Sequence, residues 1–335
     1  MLPVFDLHCD LLSYMTTVPD ADPFSSDDIG SSLISLRRGY VQFQIMALFS
    51  PTEPGSTESG IRQSVAFCEL LSTYPEYVQH IEELQNWQDA LTSPRTTIAA
   101  AIENASVFCE EDDTLDDGLE LFEQLAATTG GIVYVSLTHN DENRFGGGNG
   151  APSVGLKPDG EIILEYISGR NIALDLAHAS DTLAWDVIEY IDAHALDIPV
   201  IASHSNFRSV YTHERNLPDG IAQEIIARGG LIGINFYRDF VHHTHPEVLY
   251  EHILHGIRQG GSYALAFGSD FFFSPSGEHS DTSSRERWNQ DFFYDHRNSA
   301  QFPYILEQLR SFLTDEELHR LAYANAYTFM QYLLG

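Results

Sequence analysis

Along the chain, short runs of apolar and β-branched residues alternate with longer stretches in which apolar positions recur every three or four residues. The short runs predict eight strands: Pro3–Cys9, Val41–Phe49, Thr97–Ile102, Ile132–Thr138, Ile172–Ala177, Pro199–Ser203, Leu231–Phe236 and Tyr263–Gly268. The longer stretches predict helices over Ile61–Tyr74, Tyr77–Leu91, Leu115–Thr128, Asp181–Ala195, Gly220–Arg228 and Pro246–Gln259, with Ser299–Leu313 and Asp315–Leu334 closing the chain. Repeated strand–helix units imply a parallel sheet. Eight of them in 335 residues imply an α/β fold of the closed (β/α)8 TIM-barrel type, with an open doubly wound sheet as the alternative. No repeat or linker divides the sequence, so a single barrel domain over residues 1–335 is expected, with the helices from about residue 299 packing on it. Pro51–Gly60, Asp141–Pro158 and Ser274–Ser299 read as loops. The glycine run Gly146-Gly147-Gly148-Asn149-Gly150 matches neither phosphate-binding pattern and reads as a flexible cover over substrate.

Charge narrows the functional classes. Acids outnumber bases 49 to 17, giving a formal charge of −32. Nucleic-acid binding requires basic surface that displaces counterions, and anionic membranes attract basic segments; neither partner is expected. Three cysteines, Cys9, Cys68 and Cys109, form no disulfide framework or CxxC metal knuckle. The N-terminus lacks a basic signal-peptide region, and no apolar run reaches the length of a membrane span. A cytoplasmic protein is expected, and a homodimer is a candidate assembly.

The informative positions are the polar residues at the ends of the predicted strands. His8 and Asp10 end the first, Glu103 follows the third, and His139 the fourth; His178 ends the fifth, His204 the sixth and Asp270 the eighth. In a barrel these ends converge on the C-terminal face, where barrel enzymes place their sites. Residues i and i+2 of a strand share a face, so His8 and Asp10 can both point into the mouth while Cys9 turns away from it. A thiol nucleophile paired with His8 is thereby disfavoured. A serine hydrolase is disfavoured too, because no GxSxG elbow is present. Imidazole and carboxylate without thiolate suit a borderline divalent metal, Zn²⁺ first, with Mn²⁺, Co²⁺ or Fe²⁺ as alternatives. The donors suffice for two ions sharing an anionic bridge. Lys157 is the single lysine and lies far past the strand ends, which excludes a carbamylated lysine and leaves Glu103 as the bridge. Two Zn²⁺ against Asp10, Glu103 and Asp270 leave about +1, which a bridging hydroxide neutralises; metal lowers the pKa of bound water to roughly 7. Asp270 could take and relay its proton.

The motifs Asp6-Leu7-His8-Cys9-Asp10-Leu11, Ala101-Ile102-Glu103-Asn104, Leu137-Thr138-His139-Asn140, Asp175-Leu176-Ala177-His178-Ala179-Ser180, Ser203-His204-Ser205, Arg215-Asn216-Leu217-Pro218-Asp219 and Gly268-Ser269-Asp270-Phe271 occur in one order. As a set, this resembles the membrane dipeptidase (renal dipeptidase) family of zinc peptidases, the M19 class. The resemblance implies a barrel with two zinc ions that cleaves dipeptides. It implies that His8 and Asp10 hold one ion, that His178 and His204 hold the other, and that Glu103 bridges them. His139 would contact the substrate carbonyl, Arg215 would bind the terminal carboxylate, and Asp270 would be the acid beside the water. The chain departs from the family at Cys9, where Asn is common, and in Gly268-Ser269-Asp270-Phe271-Phe272-Phe273, where DFDG is usual. The match weakens from Ser280 onward.

Tyr237, just past the seventh predicted strand, is a candidate pocket-lining residue. His242, His243 and His245 read as surface or rim residues, and His194, His252, His255 and His319 as partly exposed helical residues. Two other classes of function stay open: a metal-dependent amidohydrolase acting on a non-peptide amide or lactone, and a catalytically inactive metal-binding relative.

Overall fold

The computed structural model describes residues 1–273 and 291–335. Of the stretch expected as a loop over Ser274–Ser299, residues 274–290 lie outside the described residues. Nine parallel strands form one sheet: β1 Val4–Cys9, β2 Val41–Phe49, β3 Val78–His80, β4 Thr96–Glu103, β5 Ile132–Ser136, β6 Ala173–Asp175, β7 Val200–Ile201, β8 Ile232–Ile234 and β9 Leu265–Phe267. Eight of them run in the order β7-β6-β5-β4-β2-β1-β9-β8, and the short β3 adds only to β4. A bridge between Ala202 and Ile232 brings β7 to β8, with Ala202 N–H donating to Leu231 O at 2.8 Å and Gly233 N–H to Ala202 O at 2.8 Å. The sheet therefore closes into the expected (β/α)8 barrel, and the open-sheet alternative falls.

Alternation along the strands sorts side chains into two layers. On β4, Ile98, Ala100 and Ile102 face the surrounding helices, while Ala99 and Ala101 face the barrel interior. The next residue in the inward series is Glu103, at the mouth. On β2, Phe43 and Ile45 point inward in the same series as Phe49. β1 breaks the rule. Phe5 and Leu7 lie in the interior layer, so strict alternation would turn His8 outward. Between Asp6 and Cys9, however, β1 advances three residues against two of β2, from Gln44 to Met46. This bulge, which re-aims a side chain as bulges near sites do, turns His8 inward and sends Cys9 into the outer layer.

The ends of the elements differ from the pattern reading in instructive ways. Tyr77–Leu91 is not one helix. It comprises β3, a 3₁₀ turn at Ile81–Glu83 and a short helix at Trp87–Thr92. Ile81, Leu84, Trp87 and Leu91 mimic a helical period because all four cover the base of the barrel. His80 with Glu83 and Asn86 with Asp89 each form a capping box that restarts the chain. Helix Ser56–Thr73 begins within the segment expected as the first loop. Helices Leu11–Thr17, Leu33–Arg38 and Pro158–Ile167 were not foreseen. The C-terminal run is helical over Asp315–His319 and Asn325–Leu334 with a π turn at Arg320–Ala324 between them.

That last helix closes the barrel from below. Ala326, Phe329, Met330 and Leu333 pack against the interior residues of the strands. Met330 is fully buried there. Met330→Ala should cost about 2–5 kcal/mol through lost burial and the cavity left behind, read as a lower urea midpoint at an unchanged slope.

Candidate metal centre

The strand ends bring His8, Asp10, Glu103, His139, His178, His204 and Asp270 to one point. Their ligand atoms form three overlapping sets within 4.8 Å: His8, Glu103 and His204; Glu103, His139 and His178; and His8, Asp10 and Asp270. Glu103 is the hub, and its two oxygens divide the neighbours. Oε2 lies 3.4 Å from His8 Nε2, whereas Oε1 lies 2.7 Å from His178 Nε2 and 3.5 Å from His204 Nε2. Asp10 and Asp270 approach His8 Nε2 at 3.9 and 3.8 Å.

Hydrogen-bond bookkeeping sets the tautomer of each imidazole. His8 Nδ1 lies 2.7 Å from the Tyr134 hydroxyl, whose own proton goes to Leu7 O at 3.0 Å. The hydroxyl must then accept, so His8 Nδ1 carries hydrogen. His204 Nδ1 lies 2.7 Å from Ser203 Oγ, which donates to Asp175 at 2.6 Å, and the same logic applies. His178 Nδ1 donates to Asn140 Oδ1 at 3.0 Å. With every Nδ1 engaged, all three rings turn Nε2 toward Glu103. His178 Nε2 and His204 Nε2 stand only 2.9 Å apart, and His8 Nε2 and Asp10 Oδ1 have no hydrogen-bond partner although buried. Nitrogen lone pairs and carboxylate oxygens so close together repel unless a cation lies among them. The donor set fits divalent metal.

Burial and the neighbouring charges shift every group of the cluster. Burial pulls the His8 imidazole down, but Glu103, Asp10 and Asp270 outweigh it and lift it to about 10. Burial raises Asp10, reinforced by Glu103, and lifts Asp270 to about 6, again with Glu103 reinforcing and His8 opposing. Burial of Glu103 is outweighed by His8 and His178, which hold its carboxyl well below the usual range. Burial depresses His178, His204 and the half-buried His139.

The surroundings answer the remaining expectations. A cavity of about 270 Å³ opens over Glu103 and is lined by Asp10, Ser13, Phe49, His139, Asn140, His178, Tyr237, Phe240, Asp270, Phe272 and Phe273. Tyr237 thus lines the pocket. Arg215 does not; it lies buried beside the cluster, with Nη1 donating to Ser205 Oγ and Nη2 to His204 O, both at 3.2 Å. Its Nε has no partner. Asp219, which could have neutralised it, instead meets His255 at 2.9 Å. Lys157 pairs with Glu142 at 2.6 Å, away from the cluster. His243 and His245 are exposed. His252 is a correction: it is fully buried, not partly exposed, because Phe207 N–H donates to its Nδ1 and its Nε2 donates to Val241 O, each at 3.2 Å.

Sequence reasoning assigned no role to Tyr134 or to Asn235, whose amide donates to Asp270 Oδ2 at 2.8 Å, and held Asn140, Asp175 and Ser203 only as members of motifs. The signal for Tyr134 and Asn235 is a polar residue in or beside an apolar strand; for the other three it is a place close to a motif histidine.

Comparison with known proteins gives the family and the fold. Two uncharacterised dipeptidases of Schizosaccharomyces pombe are 31% identical over 157 residues and 30% over 150. These matches cover 44% and 42% of this chain but only 36% and 35% of the relatives, so the chain aligns with about a third of their length. Among solved structures, a metallo peptidase from Rhodobacter sphaeroides liganded with a phosphinate mimic of L-Ala-D-Ala has a TM-score of 0.78 at 20% identity, covering 98% of this chain and 99% of that one. A probable dipeptidase from Pseudomonas aeruginosa has a TM-score of 0.72 at 16% identity, over 99% and 95%. These structural likenesses show the shared fold. The model of the membrane dipeptidase family (peptidase family M19) matches residues 1–285, and the chain belongs to that family.

Proposed function

We propose that the protein is a binuclear metal-dependent dipeptidase acting on small dipeptides with a free C-terminal carboxylate. The observation that carries the reading is the convergence of three Nε2 atoms on the two oxygens of Glu103. His8 and Asp10 would hold one ion, His178 and His204 the other, with Glu103 shared between them. The imidazole and carboxylate donors favour zinc. Bound divalent ions would polarise the scissile carbonyl and make coordinated water acidic at neutral pH.

The chain's own residues supply the rest. Asp270, which accepts from Asn235 and stands beside His8, would take a proton from water and pass it to the leaving amine. His139 packs between Phe49 and His178, with ring centroids at 4.7 and 4.2 Å and the rings tilted, and would donate to the carbonyl oxygen. Phe240 lines the cavity and lies against the Arg215 guanidinium, 5.3 Å from its ring centroid, so Arg215 borders the cavity on that side. Arg215 is a buried guanidinium without a carboxylate partner among the described residues, and a substrate carboxylate would complete its contacts.

Three measurements test the reading. Protein purified without chelator and supplied with zinc should hold close to two ions per chain by metal analysis; a ratio near zero would overturn the two-ion site. Glu103→Gln removes the negative bridge and should lower metal affinity and turnover together. The loss should exceed the roughly 10–100-fold that losing an outer hydrogen-bond partner costs. Full zinc content with normal turnover would show the bridge misassigned. Arg215→Ala should cost about 2–5 kcal/mol in kcat/KM for free-acid dipeptides, while the C-terminal amides, already poor substrates for the unmodified protein, lose little more. Equal losses for both would mark Arg215 as structural and leave the non-peptide amidohydrolase reading standing.

A further inference from the structure

The three histidines around Glu103 are not backed alike. Tyr134 behind His8 passes its proton to a backbone carbonyl, and Asn140 behind His178 is a neutral amide. Behind His204 stands a buried carboxylate, one hydroxyl away. Ser203 Oγ donates to Asp175 Oδ2 at 2.6 Å and lies 2.7 Å from His204 Nδ1. A serine hydroxyl has one proton. With that proton donated in a hydrogen bond to Asp175, the hydroxyl oxygen accepts from His204 Nδ1–H.

Asp175 is built to stay in place. It is 2% exposed. Ser136 Oγ donates to Oδ2 at 2.8 Å, and the Ser203 and Ala177 N–H groups donate to Oδ1 at 2.7 and 3.1 Å. Among the described residues it makes no ion pair with a cationic side chain, although burial raises its pKa. Four donors from three strand ends therefore hold a desolvated carboxylate beneath the cluster. The backbone of Ser203 is equally constrained. A Cβ on either Gly233 or Gly268 would come within 1.9 Å of Ser203 O, so the neighbouring strands leave room for this carbonyl only by carrying glycine.

We propose that Asp175 and Ser203 are positioning residues that act through His204. The relay from Asp175 through Ser203 to His204 locks the Nδ1–H tautomer, fixes the ring and makes Nε2 a stronger donor toward a divalent cation. The inference rests on the metal-site reading above and adds to it that a carboxylate backs His204 through one hydroxyl.

The test is zinc affinity of the intact chain, measured by competition with a chromogenic chelator, alongside thermal unfolding of the metal-free protein. Ser203→Ala removes the relay and should weaken the tighter or the weaker of the two zinc sites by about 10–100-fold. Ser203→Thr keeps a hydroxyl and should restore affinity to within a few-fold. Asp175→Asn keeps the shape but removes the charge, and should weaken the same site. A folded Ser203→Ala or Asp175→Asn protein that binds both zinc ions as tightly as the unmodified chain would overturn the relay. A Ser203→Thr protein no better than Ser203→Ala would likewise reduce Ser203 to packing. If Ser203→Ala does not fold, Asp175→Asn alone decides. Failure of the unmodified chain to bind zinc would instead overturn the metal-site reading itself.

Discussion

Everything at the mouth of the barrel depends on one crowded carboxylate. Glu103 sits where three imidazole nitrogens arrive within 3.5 Å of its oxygens, and every one of those rings is already committed on its far side. Such an arrangement is costly in itself, since like-polarity atoms are held together in a desolvated place. A hydrophobic core would tolerate none of it. The cost becomes intelligible if the cluster exists to receive positive charge, because each lone pair that repels its neighbour then becomes a donor to a shared cation.

Backbone strain points the same way. Asn104, directly after Glu103, has φ of 74°, and Asp270 has φ of 59°, both in the left-handed region where residues other than glycine need support. Each is tied down. The Asn104 amide donates to Ser50 O at 2.8 Å, and its oxygen accepts from Ser106 N–H and Asn143 Nδ2. The residue before Asp270, Ser269, is clamped by Asp6, which accepts its N–H at 2.8 Å and its hydroxyl at 2.5 Å, while Asp270 N–H itself donates to His8 O at 3.2 Å. Asp6 therefore links β1 to the strained turn after β9. The leading aspartate of the first motif fastens the opposite end of the chain to the same mouth.

Much of this was legible in the sequence, and the rest was not for definable reasons. Strands buried on both faces read as apolar-rich runs, so β2 was read from Val41 to Phe49 without error although Gln42 and Gln44 interrupt it. The five-residue run Pro199–Ser203 yielded only a two-residue strand, because Ser203 and His204 leave the ladder to face Asp175 and Glu103. The residues of the cluster were visible because His and carboxylates at strand ends are uncommon. The role of their supports was not, because a lone Tyr134 in an apolar strand has no period, and the hydroxyl that joins the motif residue Asp175 to His204 comes from another strand. The inward turn of His8 was expected for an incomplete reason. Sharing a face with Asp10 does not suffice when Phe5 and Leu7 already occupy the interior, and the bulge that resolves the conflict depends on pairing with β2.

The electrostatics of the cluster also tie metal and proton together. Glu103, Asp10 and Asp270 together draw positive charge to His8, against the pull of burial. Imidazole binds metal in its deprotonated form, so a divalent ion and a proton compete for the same Nε2. Two features favour the ion. The chain's net charge of −32 draws cations toward it over the whole surface, and the cluster gathers three carboxylates whose mutual repulsion a proton on one imidazole relieves less completely than a divalent ion can. An acidic protein with a single lysine is, on this view, matched to its site: few internal ammonium groups are available to neutralise the carboxylates that the cation must meet.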